Sequence, residues 1–516
     1  MRKTIMAGAV MLAVSGAGAH AQSIDDLRRQ MQLIQRRINQ LEADQRRAEQ
    51  GRVEAEAAAR RAQQEAEAAN ARAARAEASV AALPAATTQL ASTDTRPPPT
   101  DGSFRIPGTN TTVRLYGFAK LSMTGDIGPR NRSDVITAQS IPLSHGAGGA
   151  VSPGDFAATA RRSRFGVETR TETGSWVGEI HTHLEIDLAG QTNDLTTQAT
   201  SNSYTPRLRK FYGEFGQIDR WGSILAGQND SLWNDAGLLP FQWLSDWTYL
   251  GTSAVRQAQL RYSYRFAPQW TASVAIENSY SDVTTASGVS YPDANGGAGF
   301  GFSRTPDFTA RLLAQGDWGL AALRGVLRPE IAIDNHGAAN PADRYTRSTT
   351  GWGIGFTGAL NLFDKRLVLS TALTYGDGIG RYLDSTSSGL SAVSTAGQVR
   401  TDQARIDTVR VASAMLGATW FILPNLKANV SGGIAELDYP DYVSRFLASG
   451  SCSGSVCNTL NRRIYAGTAA LIWSPWRSID LGIEYQHVER VLLSRNADGT
   501  RGGKADRFQG SVIFRF

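Results

Sequence analysis

The sequence predicts an all-β transmembrane barrel of about 16 antiparallel strands, carried behind an N-terminal α-helical coiled coil. Three observations predict it. The last ten residues, Arg507 to Phe516, place Phe508, Val512, Phe514 and Phe516 on one parity and Arg507, Gln509, Ser511 and Arg515 on the other. Successive side chains of a strand point to opposite faces, so this segment is a strand with one apolar side and a terminal aromatic; only Ile513 breaks the pattern. From residue 112 onward, such two-faced segments recur between connections that are alternately short and long, the rhythm of a barrel with tight turns at one rim and loops at the other. Before residue 84, the apolar period is 3.5 instead of 2.

Residues 1–21 read as a secretory signal. Arg2 and Lys3 precede an apolar run from Ile5 to Val14, and Ala19-His20-Ala21 is an A-x-A cleavage site. The run is far shorter than the roughly 20 residues that span a bilayer. An exported chain follows, with its two cysteines in an oxidising compartment. Cys452 and Cys457, inside a polar stretch, are expected to form one loop disulfide.

Residues 22–83 read as a periplasmic coiled coil. Ile24, Leu27, Met31, Ile34, Ile38 and Leu41 step 3-4-3-4-3, and an alanine-rich continuation keeps the register to Leu83. At 1.5 Å per residue, such a helix would be a stalk roughly 90 Å long, which implies a parallel oligomer. The heptads leave dimer against trimer open. Pro84 and the run Arg96-Pro97-Pro98-Pro99 end the helix and make 84–111 a stiff linker.

Residues 112–516 hold the barrel, with strands expected at 112–124, 159–170, 175–188, 205–216 and so on to 307–316 and 504–516. An even strand count returns both chain ends, and the stalk, to the periplasmic side. In 255–266, Ala258, Leu260, Tyr262, Tyr264 and Phe266 oppose Gln257, Gln259, Arg261, Ser263 and Arg265. Tryptophans near strand ends (Trp221, Trp270, Trp318, Trp420, Trp473, Trp476) suit interfacial girdles. The mean hydropathy of −0.27 agrees, because half of every strand faces a wet lumen.

Lumen parity picks out Lys120, Arg162, Arg164, Arg261, Arg265, Arg311, Arg324 and Arg328. A guanidinium is always charged and grips carboxylates with two parallel bonds, so these residues are the expected lining for small anions. Bulk charge does not make the case. Of 53 basic and 47 acidic residues, the 14 and 11 before residue 101 leave 39 against 36. The connection 229–254 is too apolar for a solvated loop, with Leu232, Trp233, Leu239, Trp243 and Leu244 among its residues. It is expected to fold inward as a constriction, with Asp230, Asp235 and Asp246 facing the basic wall.

A family resemblance rests on short motifs in order: Arg114-Leu115-Tyr116-Gly117-Phe118-Ala119-Lys120, Ser163-Arg164-Phe165-Gly166, Glu185-Ile186-Asp187-Leu188, Arg209-Lys210-Phe211-Tyr212-Gly213-Glu214-Phe215-Gly216 and Leu225-Ala226-Gly227-Gln228. With the coiled coil before them, these make the chain resemble the DcaP-like trimeric outer-membrane porins. The resemblance implies a sixteen-stranded homotrimer in outer-membrane lipid that takes up dicarboxylates and related small anions through a basic constriction. Lys120 and Arg164 lie inside matching motifs; the other arginines rest on parity. The alternative is a general porin of little selectivity whose coiled coil braces the membrane against peptidoglycan.

Competing chemistry is thin. The net charge of +6 would suit nucleic acid, but export and the lack of a clustered basic tail argue against that partner. Gly353-Ile354-Gly355-Phe356-Thr357-Gly358 matches GxGxxG yet lies in an expected strand with no helix after it, so no dinucleotide cofactor is expected. His181 and His183, with Glu179 or Glu185, share a strand face and are read as solvated lumen histidines, not as metal ligands. No serine–histidine–acid set stands out, and no enzyme is expected.

Overall fold

The computed structural model describes residue 35 and residues 102–516, except 130–134, 137–139, 142, 144–152, 191–204, 235–236, 240–243, 246–251, 254, 286–289, 292–299, 335, 337–340, 342–343, 384–390, 395–404, 449–459 and 496–500. The expected signal peptide, most of the coiled coil and linker, the cysteine pair, Asp235 and Asp246 lie outside the described residues. Gln35 is α-helical.

Sixteen antiparallel strands close on themselves. They are β1 (Thr111–Pro129), β2 (Pro153–Thr159 and Arg164–Glu172), β3 (Glu179–Asp187), β4 (Arg207–Gln217), β5 (Gly222–Asp230), β6 (Arg256–Ala267), β7 (Trp270–Glu277) and β8 (Asp307–Gly316). The second half comprises β9 (Gly319–Asp334), β10 (Thr346–Leu362), β11 (Leu367–Asp377), β12 (Arg410–Leu423), β13 (Leu426–Asp438), β14 (Asn461–Trp476), β15 (Ile479–Leu492) and β16 (Gly502–Arg515). Each pairs with its sequence neighbours, and β1 closes the ring on β16 from Phe118↔Arg515 to Ile127↔Asp506. Phe516 finishes the seam. Its N–H donates to Gly117 O (3.1 Å) and its carbonyl accepts from Gly117 N (3.2 Å). A Cβ at Gly117 would meet the Arg164 carbonyl oxygen and, at 2.7 Å, the Phe516 ring.

Two irregularities shape the wall. Strand β2 is broken at 160–163, where the Ser163 hydroxyl accepts from Lys120 N (3.0 Å) and so replaces a lost ladder bond. Beyond the end of β16, β1 pairs with a two-residue strand, Phe104–Arg105, within the segment read as linker. This covers an edge that would otherwise expose unpaired backbone groups.

One rim has short turns, such as 268–269, 317–318 and 424–425, and the other carries the long connections. In the latter, Val283–Thr285, Ser290–Tyr291, Ala392–Ser394 and Ile406–Thr408 form a separate four-stranded sheet. Outward positions form an exposed apolar band including Leu260, Val274, Leu323, Ile354, Leu416, Val430 and Ile483. Exposed Trp176, Trp270, Trp318, Trp420, Trp473, Trp476 and Phe516 gather at the short-turn end. That is the pattern of a bilayer-spanning barrel with an interfacial girdle. No helix among the described residues is long and apolar enough to cross a membrane; the strands do so.

Candidate functional site

The described residues of the connection 229–254 include several that turn inward onto the strands. The connection leaves β5 through a local turn, Ser231 N donating to Val255 O (3.0 Å) and Trp233 N to the Ser231 hydroxyl (3.1 Å). Trp233 is fully buried among Val326 of β9, Val411 of β12 and Leu437 of β13. Leu239 packs on Ala372 of β11 and Met415 of β12. Leu244 sits between Ile472 of β14 and Ile513 of β16. Ile513, the one parity violation of the last strand, is therefore the seat of this loop.

Polar groups hold the same path. The Glu484 carboxylate of β15 accepts from Leu244 N (2.9 Å), Ser245 N (3.3 Å) and the Ser245 hydroxyl. Leu244 O accepts from Lys120 Nζ and Gln509 Nε2, both at 2.6 Å. Trp233 O accepts from Arg324 Nη1 (2.6 Å), whose guanidinium also lies 5.0 Å from the indole centroid. The wall is thinned to fit. A Cβ at Gly355 would meet Arg324 Nη2 at 2.7 Å, and one at Gly482 would meet Leu244 Cδ1 at 2.7 Å. The GxGxxG run thus lies within β10, and its Gly355 makes room for a guanidinium against the wall.

Several of the eight cations read from parity consequently serve the loop and the wall. Lys120 and Arg324 are buried under the loop and bond its carbonyls. Arg328 is sealed from solvent between Asp282 and Asp307, 3.3 Å from each, and donates to Gly378 O (2.6 Å). Arg265 pairs with Asp219 at the short-turn rim (3.1 Å). Arg162 lies in the break of β2, and Arg311 lies opposite Arg324 on β8; both are half-buried. Arg164 and Arg261 remain in a different setting.

Leu232 N donates to Glu277 of β7 (3.0 Å), and Trp233, Leu239, Leu244 and Ser245 lie on β9 to β16 and β1, whereas β2 to β6 carry a basic strip. Arg207 makes two bonds to Asp187, Nε–Oδ1 at 2.9 Å and Nη2–Oδ2 at 2.6 Å. Arg209 bridges Glu185 (2.7 Å) and Asp187 (2.9 Å). Arg164 lies 3.5 Å from Glu185 and 5.3 Å from the Phe118 ring centroid. Lys210 reaches Asp230 at 3.1 Å and Arg256 approaches it at 3.9 Å, while Arg261 donates to the Asp230 carbonyl and to Gln259 Oε1 (2.9 Å). Five cations therefore share the three carboxylates Glu185, Asp187 and Asp230, whereas Arg261 bonds only the Asp230 carbonyl and Gln259, and Glu168 and Glu214 face the lumen on the same strands. The five cations keep 14–31% of their side-chain surface exposed.

The eight cations read from parity omit Arg207, Arg209, Lys210 and Arg256. For Arg207 and Arg209 the reason is a β-bulge in β4: Glu185 pairs with Lys210, but Ile186 pairs with Leu208, leaving Arg209 as the extra residue. Lys210, by contrast, keeps the inward parity of Tyr212 and Glu214, and Arg256 starts β6 on the parity of Leu260. A bulge re-aims side chains and shifts the inward set. The sequence does hold a sign of it. Leu208 and Phe211 both face outward, an odd spacing that an unbroken strand does not allow. A second inward element, the 3-10 turn Gly380–Tyr382, also escaped notice; its Tyr382 hydroxyl donates to Asp307 (2.7 Å).

Residues 100–476 match the family described as the porin subfamily. The chain belongs to it. The porin fold is shared with the outer membrane channel DcaP of Acinetobacter baumannii, at 21% identity over 79% of this chain and 98% of that one, with a TM-score of 0.58. OmpT of Vibrio cholerae aligns at 9% identity over 80% and 99% of the two chains, with a TM-score of 0.45. OmpF of Salmonella typhi, solved with daunomycin, aligns at 10% over 80% and 99%, also with 0.45. No curated protein matches the sequence. As a porin of the outer membrane the chain is a channel rather than an enzyme, and its exposed apolar band faces lipid.

Proposed function

We propose that this porin conducts small anionic solutes, dicarboxylates or related aromatic carboxylates, by passive diffusion along the basic strip of β2 to β6. The loop 229–254 narrows the lumen from the opposite wall. The observation that carries the reading is that five cations crowd around three carboxylates on that strip and keep part of their surface exposed. Guanidinium groups in a narrow, low-dielectric passage attract carboxylates and present donors in the geometry that carboxylates accept. Several cations from one wall would replace part of a permeating anion's hydration.

The assembly proposed is a homotrimer in outer-membrane lipid. Its short turns and its coiled coil over 22–83 would face the periplasm, where the stalk would also meet the cell wall. The second reading, a general porin with locally balanced arginines, draws on the same ion pairs, because Glu185, Asp187 and Asp230 are all engaged.

The double variant Arg164→Gln/Arg207→Gln separates the two. Arg209 stays on both Glu185 and Asp187, so neither carboxylate loses its last cation and the wall is expected to fold. In planar bilayers with a KCl gradient, the reversal potential should move toward cation preference and block by succinate should weaken. Unchanged reversal potential and unchanged block would leave the unselective reading.

A further inference from the structure

We propose that the lumen wall near the short-turn rim holds a transition-metal site made by Glu168, His181 and His183. His181 and His183 are two apart on the inward face of β3, and Glu168 of β2 stands directly across from His183 in the ladder. Counted from Glu179, where β3 leaves the turn, the two histidines lie two and four residues into the wall. One ligand atom from each of the three residues lies within 4.8 Å of the other two. His183 Nδ1 and Glu168 Oε1 are already 3.7 Å apart. A tetrahedral ion with bonds of 2.0–2.1 Å needs ligand atoms about 3.3 Å apart, so small side-chain rotations would complete the set.

Three further features point to a ligand. His181 Nε2 is buried with no hydrogen-bond partner among the described residues. A buried ring nitrogen without a partner carries an unreturned desolvation penalty, which a bound ion would remove. Next, His183 has its outer support in place. The Tyr116 hydroxyl donates to Glu185 Oε2 (2.8 Å), so it accepts from His183 Nε2–H (2.7 Å). This fixes the tautomer that leaves Nδ1 unprotonated, turned toward Glu168, the way metal-bound histidines are commonly oriented. The Tyr212 hydroxyl, 3.2 Å from Nδ1, is placed to cover that lone pair until an ion arrives.

Finally, the other nearby carboxylates have other work. Glu179 is paired with Arg170 (2.9 Å), Glu185 with Arg209 and Arg164, and Glu214, across from His181 on β4, accepts from the Ser223 hydroxyl (2.7 Å). The carboxylate that completes the set comes from the neighbouring strand, which is why inspection of one strand face pairs the histidines with the wrong acids. Two imidazoles and one carboxylate suit Zn²⁺, Cu²⁺, Ni²⁺ or Co²⁺ and disfavour Mg²⁺ or Ca²⁺. Three protein ligands leave a position open to water or to a passing carboxylate, and the ion would add two positive charges to the wall.

The test uses the full-length protein, purified in detergent and stripped with a chelator. Titration with Zn²⁺ followed by calorimetry should give one ion per chain, and the Cu²⁺ form should show nitrogen coupling in its electron paramagnetic resonance spectrum. His181→Gln and Glu168→Gln should each weaken binding at least tenfold. Tyr116→Phe, which keeps the ring and removes the support, should weaken it about 10- to 100-fold. His487→Gln, at a separate exposed His–Asp pair, should leave it unchanged. The proposal is overturned by absence of stoichiometric binding to the folded wild type. It is equally overturned by binding that survives His181→Gln and Glu168→Gln, or that disappears with His487→Gln. Heat-modified mobility on gels confirms that each variant compared is folded.

Discussion

Replacing Glu484 by alanine should release the tip of the constriction loop and enlarge the channel. Glu484 is buried and accepts from two backbone amides and one hydroxyl of the loop, Leu244 N, Ser245 N and Ser245 Oγ. Hydrogen bonds to a charged acceptor contribute about 1.5–3 kcal/mol each. A released tip regains water for its donors, so a total near the lower end, about 3–4 kcal/mol, is the reasonable figure. At about 1.4 kcal/mol per decade, the detached population rises by a factor of 100 or more. Two attachments survive the change: Leu244 stays between Ile472 and Ile513, and its carbonyl keeps Lys120 and Gln509. The expected phenotype is therefore intermittent release. Single-channel records should show added open-channel noise and excursions to a higher conductance level. Glu484→Gln, which retains one acceptor oxygen, should fall between wild type and Glu484→Ala. If Glu484→Ala folds and its conductance, noise and protease sensitivity at 229–254 all match wild type, this carboxylate does not hold the loop.

Two further outcomes follow from buried groups. Gly355→Val places a side chain against the Arg324 guanidinium, and overpacking of this kind costs about 1–3 kcal/mol; the temperature at which the folded band is lost on gels should drop, whereas the outward-facing neighbour Ile354→Val should change it little. Arg328→Met removes the cation between Asp282 and Asp307 and should destabilise by about 3–5 kcal/mol, read as a lower urea midpoint for tryptophan fluorescence, with partial recovery when Asp307→Asn is added.

Strand positions were legible because alternation and turn chemistry are local. The strand expected at 307–316 is Asp307–Gly316 end for end, and that expected at 205–216 is Arg207–Gln217. Even the anomaly of Ile513 was visible, although its cause, a side chain 269 residues earlier in the chain, was not. Parity gives the face of a strand but not what lies upon that face. Lys120 and Arg324 point inward as expected, yet the loop above them turns them into its anchors. Arg207 and Arg209 were missed for a different reason: one bulged residue reverses the parity rule for the rest of its strand. Pairing between strands is also invisible to a reading of one strand at a time, so Glu168 was not set beside His183.

The three strands that grip Leu244 are β15, β16 and β1, through Glu484, Gln509 and Lys120, and the ring is joined between β16 and β1. The berth for the loop tip is therefore complete only when β16 and β1 have paired. Once docked, the tip bonds residues on both sides of the join and works as a clasp across it. A chain that failed to close would thus lose the joint hold of Lys120 and Gln509 on the Leu244 carbonyl as well as its seam. The apolar Leu244 side chain, less firmly held, would mark an unfinished barrel as unfinished.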